Sequence, residues 1–114
     1  MNENRENTRY QSSAKVRIKE TGEEDFLLKD LSVAGCRIEC PIDQGIMPNK
    51  QFTLLIFPES GTEISSFAID VESKWVRVGG STCESGFLII KPPKGKQFQS
   101  YVDYLAWQYS QGEK

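Results

Sequence analysis

Apolar and polar residues begin to alternate at Ala14. Ala14, Val16 and Ile18 fall on one side, and Lys15, Arg17 and Lys19 on the other, which predicts a half-buried strand with a solvated basic face. Gly22 lies in a polar turn over 20–25, leading to a second strand around 26–29. The alternation breaks at Asp30-Leu31-Ser32-Val33-Ala34-Gly35 and resumes with Cys36, Ile38 and Cys40 on one face. Pro41 to Pro48 reads as a loop, because two prolines and Gly45 interrupt pairing. Strand formers return over 51–57, and Pro58-Glu59-Ser60-Gly61 makes a tight turn. A long strand-like stretch over 63–78 then places Ile69, Val71 and Trp75 together on the core side. Gly79-Gly80-Ser81 turns the chain into a last strand over 86–90. Strands joined mostly by short turns predict an antiparallel barrel or a compact sandwich.

The period changes after Pro92-Pro93. At about 100° per residue, Phe98, Tyr101, Val102, Leu105 and Tyr109 share one arc of a helix that can dock on the sheet. Trp107 projects nearly opposite that arc, with Tyr104 on its shoulder; the pair is a candidate surface for a partner protein or a homodimer. Residues 1–13 are almost all polar and show no period, so the expected organisation is an N-terminal arm over 1–13 and one domain over 14–114, with its helix from about residue 95.

Composition narrows the chemistry. The 114 residues hold no His, which removes Ser–His–Asp and Cys–His nucleophile systems and every imidazole metal site. With 14 Lys and Arg against 16 Asp and Glu, the chain lacks the basic excess of a general binder of nucleic-acid polymers or anionic membranes. The polar start is unlike a signal peptide, and the longest apolar runs, 54–57 and 87–90, are far too short to span a bilayer. Cys36, Cys40 and Cys83 are an odd number of cysteines; Cys36 and Cys40 would be roughly 13 Å apart on one strand, beyond bridging distance. Reduced structural thiols in a cytoplasmic protein are the expectation, with no metal site and no enzymatic activity.

Two short motifs remain. Arg5 and Arg9 form RxxxR in the polar arm, and Asp30, Ser32 and Gly35 form DxSxxG between the second and third strands. In this order, with Trp75 near the end of the long strand, Gly86-Phe87 in the last strand and a C-terminal helix, the chain resembles the PilZ domain family. That resemblance implies a six-stranded antiparallel β-barrel of split-barrel type with a C-terminal helix. It also implies a bacterial receptor for cyclic di-GMP that binds the dinucleotide on the barrel's outer surface and signals to a downstream protein, for example in motility, pilus or polysaccharide machinery. No cofactor is implied beyond that ligand.

The residue chemistry is consistent with this. A guanidinium matches the O6 and N7 acceptors of guanine bidentately and also pairs with phosphates, so Arg5 and Arg9 suit such a ligand. Asp30 offers acceptors to the N–H groups of guanine's Watson–Crick edge. Ser32 offers a hydroxyl, and Gly35 either a close backbone approach or a positive φ. Asp and Ser in this spacing also build a self-bonded turn without any ligand. Asn4, in place of a third arginine, points to a single bound dinucleotide, and Glu6 can pair with an arginine of the free arm. The alternatives are a PilZ-like protein-interaction module that binds no nucleotide, and a small barrel for single-stranded nucleic acid, which the acidic balance disfavours.

Overall fold

The computed structural model describes residues 8–22, 24–41, 46–91 and 93–112. Seven strands occur in chain order: β1 (Tyr10–Gln11), β2 (Lys15–Ile18), β3 (Asp25–Leu31), β4 (Gly35–Pro41), β5 (Gln51–Phe57), β6 (Phe67–Gly79) and β7 (Thr82–Ile89). One helix, α1 (Gln97–Gly112), follows them.

The strands pair antiparallel in the order β2-β5-β6-β7-β4-β3, and β3 returns to β2, closing a six-stranded barrel. The short β1 continues the β2 side of the ring, pairing Tyr10 with Leu31 and Gln11 with Asp30. These two residues lie in the segment without a hydrophobic period, and they tie the end of the arm to β3.

The inward rows are those the alternation implies. Val16 and Ile18, Phe26 and Leu28, Cys36, Ile38 and Cys40, Leu54 and Ile56, and Phe67, Ile69 and Val71 are all buried. Two irregularities redirect side chains. A register shift between Leu28 and Asp30 ends strict alternation in β3. A second, between Ser73 and Trp75, does the same in β6. Ser73 still faces inward, but Lys74 and Trp75 both face out, because a bulge adds one residue to one side of a ladder. Trp75 is thus 37% exposed, not among the core positions that a strict period of two assigns it. The long strand begins at Phe67, later than the expected residue 63; Glu63 itself, at φ 61°, is left-handed and outside the ladder. The last strand begins earlier than its apolar run, at Thr82.

Helix α1 buries Phe98, Tyr101, Val102 and Leu105. The Phe67 ring meets Phe98 nearly edge-on at 6.0 Å. Tyr109, expected in the same stripe, is 52% exposed. The helix outlasts the surface it packs on, and Tyr109 meets the Tyr10 ring edge-on at 5.6 Å instead.

Candidate functional site

The DxSxxG segment is the connection between β3 and β4. Ser32 N–H donates to the Gly35 carbonyl at 2.8 Å. The Ser32 hydroxyl accepts from the N–H groups of Ala34, at 3.0 Å, and Gly35, at 3.1 Å. It is buried and committed to the turn, so its local role is to fix the bend that carries Asp30. Gly35 does not have a positive φ. Its bare Cα lets β4 approach β7, since a Cβ there would run into the Phe87 carbonyl oxygen. The close approach that glycine permits is therefore to the neighbouring strand.

Asp30 faces the other way, toward the outer wall. Its Oδ1 lies 3.1 Å from Arg9 Nη1, so the arm and the bend meet at one carboxylate. Arg37 of β4, directly opposite Asp30 in register, brings Nε within 3.1 Å of Oδ2. That contact is an ion pair without hydrogen-bond geometry, which leaves the Arg37 Nε–H buried and unsatisfied. Arg37 Nη1 is 3.4 Å from Glu84 Oε1, and Arg77 Nη2 is 2.7 Å from the same oxygen. The Arg77 hydrogen bond, ahead of the charge of Arg37, holds the Glu84 carboxyl below the usual carboxylate range. The five groups run Arg9, Asp30, Arg37, Glu84, Arg77 across β3, β4, β7 and β6, alternating in sign.

The register explains the alignment. Gln11, Asp30, Arg37, Gly86 and Trp75 are consecutive partners across five strands. Gly86 has no side chain, and the Trp75 indole fills its place; a Cβ at Gly86 would overlap the ring. Arg77 caps that ring with its guanidinium 5.4 Å from the centroid. Two hollows flank the row. One of about 800 Å³ lies between Arg9 and α1, walled by Gln11, Leu105, Trp107 and Tyr109. Another of about 480 Å³ lies against Lys29 and Arg37.

Of the residues singled out in the sequence, Arg9 and Asp30 touch, and Ser32 and Gly35 build the bend beneath them. Arg5 and Glu6 lie outside the described residues. Arg37, Glu84 and Arg77 carry no motif; their one sequence signal is an outward place in an alternating strand. Lys15 and Lys19 stay on the solvated face, and Arg17 pairs with Asp25 at 2.9 Å. Among the described residues, no cluster of three His, Cys, Asp or Glu side chains is placed to hold a metal ion. No helix there is long and apolar enough to cross a membrane.

The arm also touches α1. The buried Tyr101 hydroxyl donates to Glu59 Oε1 at 2.8 Å and, with its one hydrogen so used, accepts from Ser12 Oγ at 2.8 Å. Ser13 N–H donates to Glu59 Oε2 at 3.1 Å. Burial is the main force pushing the Tyr101 phenol above its ordinary range. Tyr104 stacks on Tyr101 with centroids 6.1 Å apart, and Trp107, tilted against Tyr104, is 59% exposed.

Among solved structures, the inhibitor of motility (MotI/DgrA) of Bacillus subtilis superposes with a TM-score of 0.77 at 11% identity, over 90% of this chain and 49% of that one. At that identity the likeness is one of fold, and the chain spans about half the length of that protein. No curated protein matches the sequence. The PilZ domain model matches residues 3–104, a span that includes both motifs and every strand of the barrel. The chain belongs to the PilZ domain family, whose members are ligand-binding and adaptor domains.

Proposed function

We propose that this PilZ domain is a bacterial, cytoplasmic receptor for cyclic di-GMP that performs no catalysis and signals through its N-terminal arm to a partner protein. The observation that carries the reading is the Arg9–Asp30 contact at 3.1 Å. The two groups stand 21 residues apart in the chain, yet the fold holds them face to face on the outer wall. A guanine edge has acceptors for the guanidinium and N–H donors for the carboxylate, so it can replace their mutual ion pair with two complementary contacts. Arg9 is half exposed and the buried Asp30 keeps Arg37 beside it, so parting Arg9 from Asp30 costs only about 0–1 kcal/mol, which ligand contacts readily exceed.

In this proposal Arg9 and Asp30 bind the base, Arg5 closes with the arm, and Ser32 and Gly35 fix the bend. Arg37 adds a cation within reach of a phosphate. Tyr10 to Ser13 are already docked on β3, Glu59 and α1, and the Ser12–Tyr101 and Tyr10–Tyr109 contacts pass a ligand-driven shift of Arg9 to the helix. The exposed Trp107 and the adjoining Tyr104 then form the surface for a downstream protein or a second copy. The name of the MotI/DgrA neighbour as an inhibitor of motility makes motility machinery one reasonable destination, beside pilus and polysaccharide systems.

One observation favours a second reading, an interaction module of the same fold that binds no nucleotide. Ser32 and Gly35 are fully used by the hairpin and by β7, so their presence needs no ligand to explain it. Calorimetry separates the two. The intact protein is expected to bind cyclic di-GMP at micromolar or tighter affinity. Arg9→Ala should weaken that by about 1–3 kcal/mol, roughly 5- to 150-fold. No heat from the intact protein would favour the interaction module.

A further inference from the structure

The ladder between β4 and β7 sets Cys40 directly opposite Cys83. Their Sγ atoms are 3.8 Å apart, and the residues are 2% and 4% exposed. We propose that Cys40 and Cys83 are a redox pair that a peroxide closes into a cross-strand disulfide and a thiol reductant reopens. This goes beyond the ligand reading and does not depend on it.

The backbone brings the pair close to the required geometry. Ile89 N–H donates to the Ala34 carbonyl at 2.8 Å, which marks that pair as a hydrogen-bonded position of the ladder. Cys40 and Cys83 lie an even number of residues further along the same unbroken register, so theirs is a hydrogen-bonded position too. Such partners have Cα atoms about 5.5 Å apart, inside the disulfide range, while their Cβ atoms, also about 5.5 Å apart, must draw closer by about 1 Å for the bond to close. Rotation of both side chains, with a small approach of the two strands, brings the sulfurs from 3.8 Å to bonding distance.

Access comes from one side. Cys40 lines a surface hollow of about 470 Å³ with Phe26, Leu27, Ser81 and Thr82, wide enough for a small peroxide. The Cys40 sulfur attacks one peroxide oxygen as its thiol proton is given up, the O–O bond breaks, and the departing hydroxide takes up a proton to leave as water, giving a sulfenic acid. The Cys83 sulfur then attacks the sulfenic sulfur, an S–S bond forms, and the sulfenic oxygen departs as water. In sum, two thiols lose two electrons and two protons, and one hydrogen peroxide becomes two waters.

The third cysteine supplies an internal control. Cys36 is on the same inward face, but its cross-strand neighbours are Phe87 and Leu31, and it has no sulfur opposite. Burial, with the Asp30 charge nearby, pushes its thiol up to about 12, so it stays protonated. Cys40 is three residues past Arg37, about 10 Å along the strand, which keeps the closed pair clear of the Asp30 row.

The test treats the full chain with hydrogen peroxide under native conditions, then maps tryptic peptides by mass spectrometry. The expected product is a monomer lighter by two hydrogens, with the Cys40 and Cys83 peptides linked. Dithiothreitol should reverse the change, and the oxidised form should unfold at higher urea. Cys36→Ser should form the same link, and Cys83→Ser should not. The unsubstituted chain decides the matter even where a variant folds poorly. A link through Cys36, dimers joined by one thiol, sulfinic acid at Cys40, or no oxidation of the folded chain would overturn the proposal.

Discussion

Asp30 and Arg9 have unequal stakes in their contact, and this separates binding from stability. Arg9 is half exposed, so losing its ion pair should change folding stability by only about 0–1 kcal/mol. Removing the Asp30 carboxylate also strips Arg37 of the one charge beside its buried Nε. Taking the opposite charge away from a part-buried cation costs more than losing an exposed ion pair, so Asp30→Ala should lower the urea midpoint clearly more than Arg9→Ala. Urea unfolding of the two variants side by side checks this, and equal losses would mean that Arg37 finds another partner. At this scale the sequence was legible where chemistry is local. Asp30, Ser32 and Gly35 could be read as a turn because the hydrogen bonds of Ser32 span only neighbouring residues. Arg37 could not be assigned a place, because its position beside Asp30 comes from how β4 pairs with β3.

Elements were legible as far as their periods were regular. The inward rows of β2, β4 and β5 follow a period of two because both neighbours of each strand hold it in register. The bulge in β6 breaks that rule at a single residue and turns Trp75 outward, which no alternation template anticipates. Its counterpart in β7 is Gly86, and the two make a testable unit. Gly86→Ala puts a methyl group where the indole rests. Overpacking of this kind should cost about 1–3 kcal/mol and drive the ring further into water. In a Trp107→Phe background, Trp75 emission should shift to the red. An unchanged spectrum would show that the ring does not rest on Gly86. Tyr109 departs from the apolar arc for a related reason. A helical wheel places Tyr109 in the apolar arc, but only the finished barrel determines that the helix runs past its support after Leu105. Likewise, the two residues of β1 are too few to display any period.

For the whole molecule, pH response follows from what the barrel encloses. Folding raises the Cys36 thiol from 9.0 to about 12, chiefly by burial. The protonated thiol is the form the fold favours, so this contribution is complete below pH 9.0 and is lost as pH rises toward about 12. The buried Tyr101 phenol is shifted in the same direction. Urea midpoints should therefore fall as pH rises above 9.0, and Cys36→Ala should make that decline shallower. An identical slope in the variant would assign the loss to other groups. At this level the closed barrel was legible from strand count, turn spacing and the family pattern together. The union of arm and helix at Tyr101 was not, since Ser12 and Glu59 reach that hydroxyl from distant parts of the chain.

Closure of the ring bears finally on how copies of this protein meet at high concentration. Each of the six strands of the circle has a neighbour on both sides, so a foreign strand finds few vacant backbone groups on which to begin. β6 extends beyond its pairing with β5, and this overhang carries Lys74 and Arg77, whose like charges repel the same stretch of another copy. Edge-to-edge templating between folded copies is thereby disfavoured along the six strands of the circle.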